Sequence, residues 1–365
     1  MISPRAGDNA QVLAVTDALG LPFETRRFAN RSGAIALNLL VGPAAARSRV
    51  ERVDTMTPPW PDLLLAAGTQ SEPISADLRQ AMARDGHRAR HVFLGRPWMH
   101  PDNYDLVVTT PQYSVPPAAN VMEIDLPLHR VTAATVAQEA ALWAPNVAEL
   151  PEPRIAVLVG GAINRYLMDG RTAMRIAREV GAYAAQRGGS LLILGSYRTP
   201  AAAMRMLTEN LAVPATVFDW QRARREGNPY LGFLGLAAEI VVTGDSMTML
   251  AEACATGKPV FIFDLGEGRY AMRRTPPAMP MPSPAGPPPL GSRLKAWALD
   301  RKVKLTNGII PVRLHRDTRH IHDRLVAAGR AAWFGDPYPA GDRSPMPDDA
   351  AKVAARIRAL MAEKI

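Results

Sequence analysis

The stretch "EIVVTGDSMTMLAEACATGKPVFIF", Glu239 to Phe263, reads as a strand, a tight polar turn, a short helix and a second strand. An apolar run of three residues at one end and four at the other, the first stopped by threonine and glycine, is the pattern of a strand buried on both faces of a parallel sheet. Gly244 ends the first strand, and Asp245, Ser246 or Thr248 can cap the helix that follows. A helix start carries unpaired N–H groups and a partial positive charge, so the turn suits a phosphate. Glu252 falls about one turn further on, in a helix otherwise built from small and apolar residues. Its carboxylate either accepts two hydrogen bonds from a vicinal diol such as a ribose, or is a solvated helix residue with Ser246 merely a cap.

The same strand–turn–helix grammar runs outward in both directions. "RIAVLVGG" (154–161), "SLLILGS" (190–196), "ATVFDW" (215–220) and "PVFIFDL" (259–265) read as strands of one parallel set, with "DGRTAMRIAREVGAYAAQRG" a helix between the first two. Upstream, "DLLLAAG" (62–68), "RHVFLG" (90–95) and "YDLVVTT" (104–110) read as a second set, with Ser75 capping the helix in "SADLRQAMARDG". "TAATVAQEAALWAP" (132–145) reads as a helix closing the first domain, and the Pro- and Glu-containing connector after it as the boundary. The pattern predicts an α/β protein of two facing Rossmann-like domains, residues 1–147 and 153–335, with a cleft between their carboxyl-end loops. A terminal amphipathic helix (346–365) is expected to pack back toward the first domain. "RRTPPAMPMPSPAGPPPLGS" (273–292) is too rich in proline for helix or strand and reads as a surface loop or a peptide-recognition motif. "MIS" leaves almost no first strand, as if one were truncated or the start assigned late.

Composition narrows the function classes. There are 43 Lys and Arg against 34 Asp and Glu, a formal charge of +9 in 365 residues, which favours an anionic partner. The basic residues are scattered, so no nucleic-acid stripe is expected. The single cysteine, Cys254, excludes a disulfide framework or a cysteine zinc cluster and suits a small buried hydrophobe. No signal-peptide run opens the chain and no stretch approaches ~18 apolar residues, so a cytoplasmic protein is expected, peripheral to a membrane at most.

Two more polar turns resemble the one before Glu252. In "VLVGGAINRYLMDG", Gly160 and Gly161 permit close backbone approach, Asn164, Arg165 and Tyr166 follow, and Arg165 can grip a diphosphate with its planar fork. In "SPRAGDNAQVLAV", Gly7, Asp8, Asn9 and Gln11 crowd the start of the first helix. Asp8 is either an N-cap or a general base, with Asn9 and Gln11 as ligand donors. His129, in a loop before the helix at 132, is the alternative base or a structural histidine. Neither a Walker lysine pattern nor a G-x-G-x-x-G is present, and no Tyr-x-x-x-Lys pair supports an epimerase.

"RAGDNAQVLAVTDALG", "DLVVTTPQY" with "LPLHRV", "VGGAINRY" and "VTGDSMTMLAEACATGKPVFIFDL" together resemble the mitochondrial-fission (elongated mitochondria) family over nearly the whole chain. That resemblance implies a glycosyltransferase-B-like architecture with a nucleotide-sugar cleft. The last motif is also similar to the donor site of the bacterial transferase that adds N-acetylglucosamine to lipid-linked peptidoglycan precursor. By that likeness Gly244, Ser246 and Thr248 would meet a donor diphosphate and Glu252 the ribose. The resemblance implies an inverting transfer from a nucleotide-sugar, most often a UDP-sugar in this architecture. With no D-x-D pair in a likely donor loop, no metal or other cofactor is expected. The basic charge suits an acceptor carried on an anionic lipid at a membrane surface. The resemblance equally allows a non-catalytic adaptor that binds partner proteins.

Overall fold

The structure, a computed structural model, describes the chain apart from residues 4, 5, 31–49, 53, 55, 56, 164, 165, 279–289, 310, 342–348, 364 and 365. Two compact units divide it. The first comprises Met1–Arg130, Ile310–Asp317 and Pro347–Ile365, the second Val131–Ile309 and Thr318–Met346.

In the first unit, helix α1 (Ala6–Leu19) precedes a short antiparallel pair, β1 (Phe28–Asn30) and β2 (Val50–Arg52). The four-stranded parallel sheet runs β3 (Leu63–Ala67), β4 (Arg90–Leu94), β5 (Leu106–Thr109), β6 (Val121–Glu123), with α2 (Glu72–Arg84) crossing from β3 to β4. Both faces are covered, as near-continuous apolar strands require. Leu64 and Ala66 enter one core with Ile74 and Phe93, while Leu65 and Ala67 enter the other with Val12 and Val15. Helix α2 starts earlier than the sequence suggests: Ser71 is its N-cap, Pro73 sits in the first turn where its missing N–H costs nothing, and Ser75 is inside the helix.

The second unit begins with α3 (Ala133–Trp143), capped by Thr132 through a capping box. Helix α3, expected to close the first domain, falls in the second unit. The reason lies in α7 (Tyr230–Leu236), whose Gly232 and Gly235 leave two notches. A Cβ on Gly232 would stand 2.6 Å from the Trp143 ring, and one on Gly235 2.6 Å from Ala140 Cβ. The two helices therefore pack backbone to side chain.

The sheet of this unit contains β7 (Arg154–Val159), β8 (Ser190–Gly195), β9 (Ala215–Phe218), β10 (Glu239–Thr243), β11 (Val260–Phe263) and β12 (Ala332–Trp333), all parallel. Its order is β12-β11-β10-β7-β8-β9. In chain order this is the doubly wound arrangement that steps from β7 outward one way, then returns to β10 and steps the other. Among its helices, α4 (Gly170–Ala185) is capped by Asp169, α5 (Ala201–Glu209) and α6 (Trp220–Glu226) follow β8 and β9, and α8 (Met247–Cys254) joins β10 to β11. Helix α9 (Leu290–Ile309) takes in the last three residues of the Pro-rich segment read above as non-helical, whose residues 279–289 lie outside the described part. Helix α10 (Arg319–Ala327) precedes β12. The terminal helix α11 (Asp349–Ala362) puts Val353, Ile357 and Leu360 into the core of the first unit that holds Val12 and Val15.

Candidate functional site

The order of the second sheet reverses between β7 and β10, so the loops leaving these two neighbours diverge at their carboxyl ends, the place where such sheets bind ligands. Gly160 and Gly161 stand at that point. Their amides are already engaged: Gly160 N donates to Thr243 Oγ1 at 2.8 Å and Gly161 N to Asp245 Oδ2 at 2.8 Å. A Cβ on Gly160 would lie 2.3 Å from both Asp245 carboxylate oxygens, and one on Gly161 2.6 Å from the Arg198 carbonyl. These glycines thus admit a neighbouring carboxylate and turn, the close approach expected of them being made by the protein itself. Asp245 is 1% exposed. It also accepts Thr243 Oγ1 at 2.7 Å and Arg198 Nη2 at 2.7 Å, and so ties the ends of β7, β8 and β10 together. Thr199 adds to this knot by donating to the carbonyls of Val159 and Gly160.

From that rigid base α8 departs. Ser246 takes the extended N-cap conformation, yet its side chain makes no capping bond to the first turn. Thr248 and Glu252, four residues apart, share one helix face, and both are half-buried. Glu252 is not the solvated residue of the bland reading. Its Oε2 accepts the Tyr230 hydroxyl from α7 at 2.5 Å, and burial pushes its pKa up to about 7 while that bond pulls it back. Burial and the facing carboxylate push the Tyr230 hydroxyl well above the ordinary tyrosine range. Lys258, in the loop after α8, fixes the other end of α7: its Nζ donates to the carbonyls of Leu234, Gly235 and Ala237 at 2.8, 2.5 and 2.6 Å. A cation on the last carbonyls of a helix is favoured by its dipole. The arrangement joins an uncapped helix start to a carboxylate whose ionisation is tuned near neutrality.

In the first unit, Asp8 lies in the first turn of α1 rather than capping it. Its carboxylate rests against Gly68 at the carboxyl end of β3, where φ is +74° and a Cβ would meet Asp8 Oδ2 at 2.3 Å. Asn9 clamps the chain before α1: Oδ1 accepts Ser3 N at 2.8 Å and Nδ2 donates to Ser3 O at 2.7 Å. Gln11 reaches only back to the Gly7 carbonyl at 3.5 Å, and Gly7 is half-buried. His129 is half-buried in the loop before α3. At the neighbouring strand ends Glu72, 2% exposed, accepts Trp98 N, Met99 N and Tyr104 Oη, and burial pushes its pKa to about 7.

The structure therefore brings Gly160, Gly161, Gly244, Asp245 and Ser246 into one knot at the switch point, with Thr248 and Glu252 on the helix leaving it. Tyr166 is buried nearby in sequence, its backbone bridged to Ile163. Asn164 and Arg165 lie outside the described residues. Sequence reasoning missed Tyr230, Arg198 and Lys258. Lys258 carried a usable signal, since a lysine just after a helix and before a buried strand suits an orphan helix end.

The sequence pattern described as mitochondrial fission ELM1 matches residues 6–276, and so spans both the Asp8 turn and the Glu252 helix. The chain belongs to the mitochondrial fission ELM1 family. Within it, the mitochondrial fission protein ELM1 of Arabidopsis thaliana is 32% identical over 147 residues, 40% of this chain and 34% of that protein. An uncharacterized protein of Rickettsia prowazekii (strain Madrid E) is 28% identical over 108 residues, 30% of each. The chain spans about a third of the length of these curated relatives. Among solved structures, a glycosyltransferase from Rickettsia africae ESF-5 is similar at TM-score 0.39 and 11% identity, covering 83% of this chain and 78% of that one.

Proposed function

We propose that this family member binds a nucleotide-sugar, a UDP-sugar by preference, at the carboxyl edge of its second sheet and transfers the sugar with inversion. The observation that carries this reading is the pairing of Glu252 with Tyr230 on the helix that leaves the switch point. The Glu252 carboxylate takes the ribose diol, and Tyr230 holds it in place. The uncapped first turn of α8 and Ser246 face the diphosphate, with Arg165 as a further grip. As the acceptor oxygen attacks the anomeric carbon and the bond to the diphosphate breaks, the helix start stabilises the departing negative charge. Asp8, with His129 as the alternative, takes the acceptor hydroxyl proton. A thermal-shift screen of nucleotides and nucleotide-sugars tests the binding step, because a ligand held by the folded state raises Tm by mass action. UDP-sugars should give the largest rise.

A second reading has its own support. The Gly160 and Gly161 amides and the Asp245 carboxylate are all satisfied internally, as a scaffold without a ligand would have them. An adaptor that keeps the fold and binds partner proteins fits that, and the name of the Arabidopsis relative points to a role in mitochondrial division. It would give no shift with any nucleotide in the same screen.

A further inference from the structure

Of the large apolar side chains that stand exposed among the described residues, a group gathers on a single helix. Leu290, Leu294, Trp297, Leu305 and Ile309 of α9 are each between 48% and 83% exposed. At 100° per residue they fall on one arc about 120° wide, and exposed Arg301 falls within that arc beside Trp297. Leu299, Asp300, Val303 and Thr306, the more buried positions, lie on the opposite side. The helix thus packs by its less apolar face and presents its most apolar one, the reverse of what a core-facing helix does. Val312, 66% exposed, follows it in the chain.

The charges around the stripe have one sign. Arg293, Arg301, Lys302 and Lys304 are exposed, while the acid among them, Asp300, is largely buried and paired with Lys304 at 2.9 Å. The Arg301 guanidinium stands 5.6 Å from the Trp297 ring centre. No helix among the described residues is long and apolar enough to cross a membrane. A 20-residue helix with an exposed Leu/Trp stripe, cations within and beside it whose long stems can snorkel to lipid headgroups, and little net hydrophobicity suits an interface. Two copies of so basic a helix would repel, and lysine is depleted in protein–protein interfaces, so the charge pattern selects a lipid surface over a second copy.

We propose that α9 is a membrane-docking helix, its Leu290–Leu294–Trp297–Leu305–Ile309 stripe entering the headgroup region of an anionic bilayer while its arginines and lysines meet the lipid phosphates. The proposal stands on this helix alone and does not depend on the sugar-transfer reading.

Co-sedimentation of the full chain with vesicles tests it. Wild type should pellet with equal parts phosphatidylglycerol and phosphatidylcholine, and far less with phosphatidylcholine alone. The double variant Leu294→Glu, Trp297→Glu removes two anchors and adds two negative charges, and should lower partitioning more than tenfold. Glutamate is a good helix former at exposed positions, so an unchanged Tm is expected and certifies the fold. Leu142→Glu, an equally exposed leucine on α3, should bind as wild type does. Should the double variant lose its fold, Arg301→Glu with Lys302→Glu supplies the same comparison through charge alone. Failure of wild type to pellet with the anionic vesicles, or equal pelleting by the variants, overturns the proposal. So does a concentration-dependent dimer in sedimentation velocity that the double variant abolishes, which would make the stripe a self-association face.

Discussion

The Tyr230 hydroxyl donates to Glu252 Oε2 at 2.5 Å and joins α7 to α8 at the root of the candidate nucleotide site. This bond is one of the forces holding the Glu252 carboxylate ionisable near neutrality, against burial. If the ionised form takes the ribose, wild-type affinity for UDP rises as pH climbs through about 7. Tyr230→Phe removes a donor that favours the carboxylate, so its rise should move to higher pH, with affinity several-fold weaker near neutrality. Titrations across the pH range compare the two profiles; superimposable curves would remove Tyr230 from the site.

Lys258 makes a second, indirect test. Its Nζ satisfies three carbonyls at the end of α7, so Lys258→Met should destabilise the protein by roughly 1–3 kcal/mol. Urea denaturation would show a lower midpoint at unchanged slope. Because α7 carries Tyr230, the surviving folded protein should also show the shifted pH profile of Tyr230→Phe.

Two glycine substitutions separate close approach from chain flexibility. Gly160→Ala drives a methyl to 2.3 Å from a carboxylate that is fixed by three partners and should lose about 1–3 kcal/mol. Gly170→Ala, at the first position of α4 with its nearest foreign atom at 3.5 Å, should be neutral or stabilising by up to about 1 kcal/mol. Thermal melts rank the pair against wild type, and a Gly160→Ala melt at or above that of wild type would mean the knot can yield.

Acid should weaken the first unit through His91. This histidine is 0% exposed on β4, neither ring nitrogen has a hydrogen-bond partner among the described residues, and burial pushes its pKa down to about 3. Below the unfolded value of about 6.5 the unfolded chain binds a proton that the native state refuses, so stability present above that pH is lost as pH falls toward 3. The slope from this group approaches about 1.4 kcal/mol per pH unit. Glu72 and Glu252 act the other way: their pKa values are raised from 4.5 to about 7, so their contribution is present below 4.5 and lost as pH rises through 7. Subtracting the profile of His91→Phe from that of wild type cancels the carboxyls and should leave the histidine slope alone. Parallel profiles would show His91 protonated in the native state.

The strands were legible because runs such as "RIAVLV" and "EIVVT" are apolar on both faces and end at glycine or threonine, which only a doubly covered parallel sheet demands. Helix α9 was not, since its apolar residues face outward and a long proline-rich run precedes it, so no core-facing periodicity announced a buried element. Gly160 and Gly161 were legible as points of close approach, but a glycine does not say what approaches. Here it is the Asp245 carboxylate at Gly160 and the Arg198 turn at Gly161. Glu252 stood out as an acid among small residues, whereas its partner Tyr230 sits 22 residues upstream in "YLGFLGL" and reads locally as one more apolar residue. Pairings made by the fold between distant segments leave no local trace.

The most direct measurement is calorimetric titration of UDP and UDP-sugars into wild type and Glu252→Gln, about one pH unit above the Glu252 pKa of about 7. Glutamine keeps the size of the side chain and an acceptor for Tyr230 but cannot ionise. Losing one charged hydrogen-bond partner is worth about 1.5–3 kcal/mol, so affinity should fall roughly ten- to more than a hundredfold with Tm little changed. Equal affinities in the two proteins would return Glu252 to a structural role. No binding by wild type would contradict the nucleotide-sugar site itself.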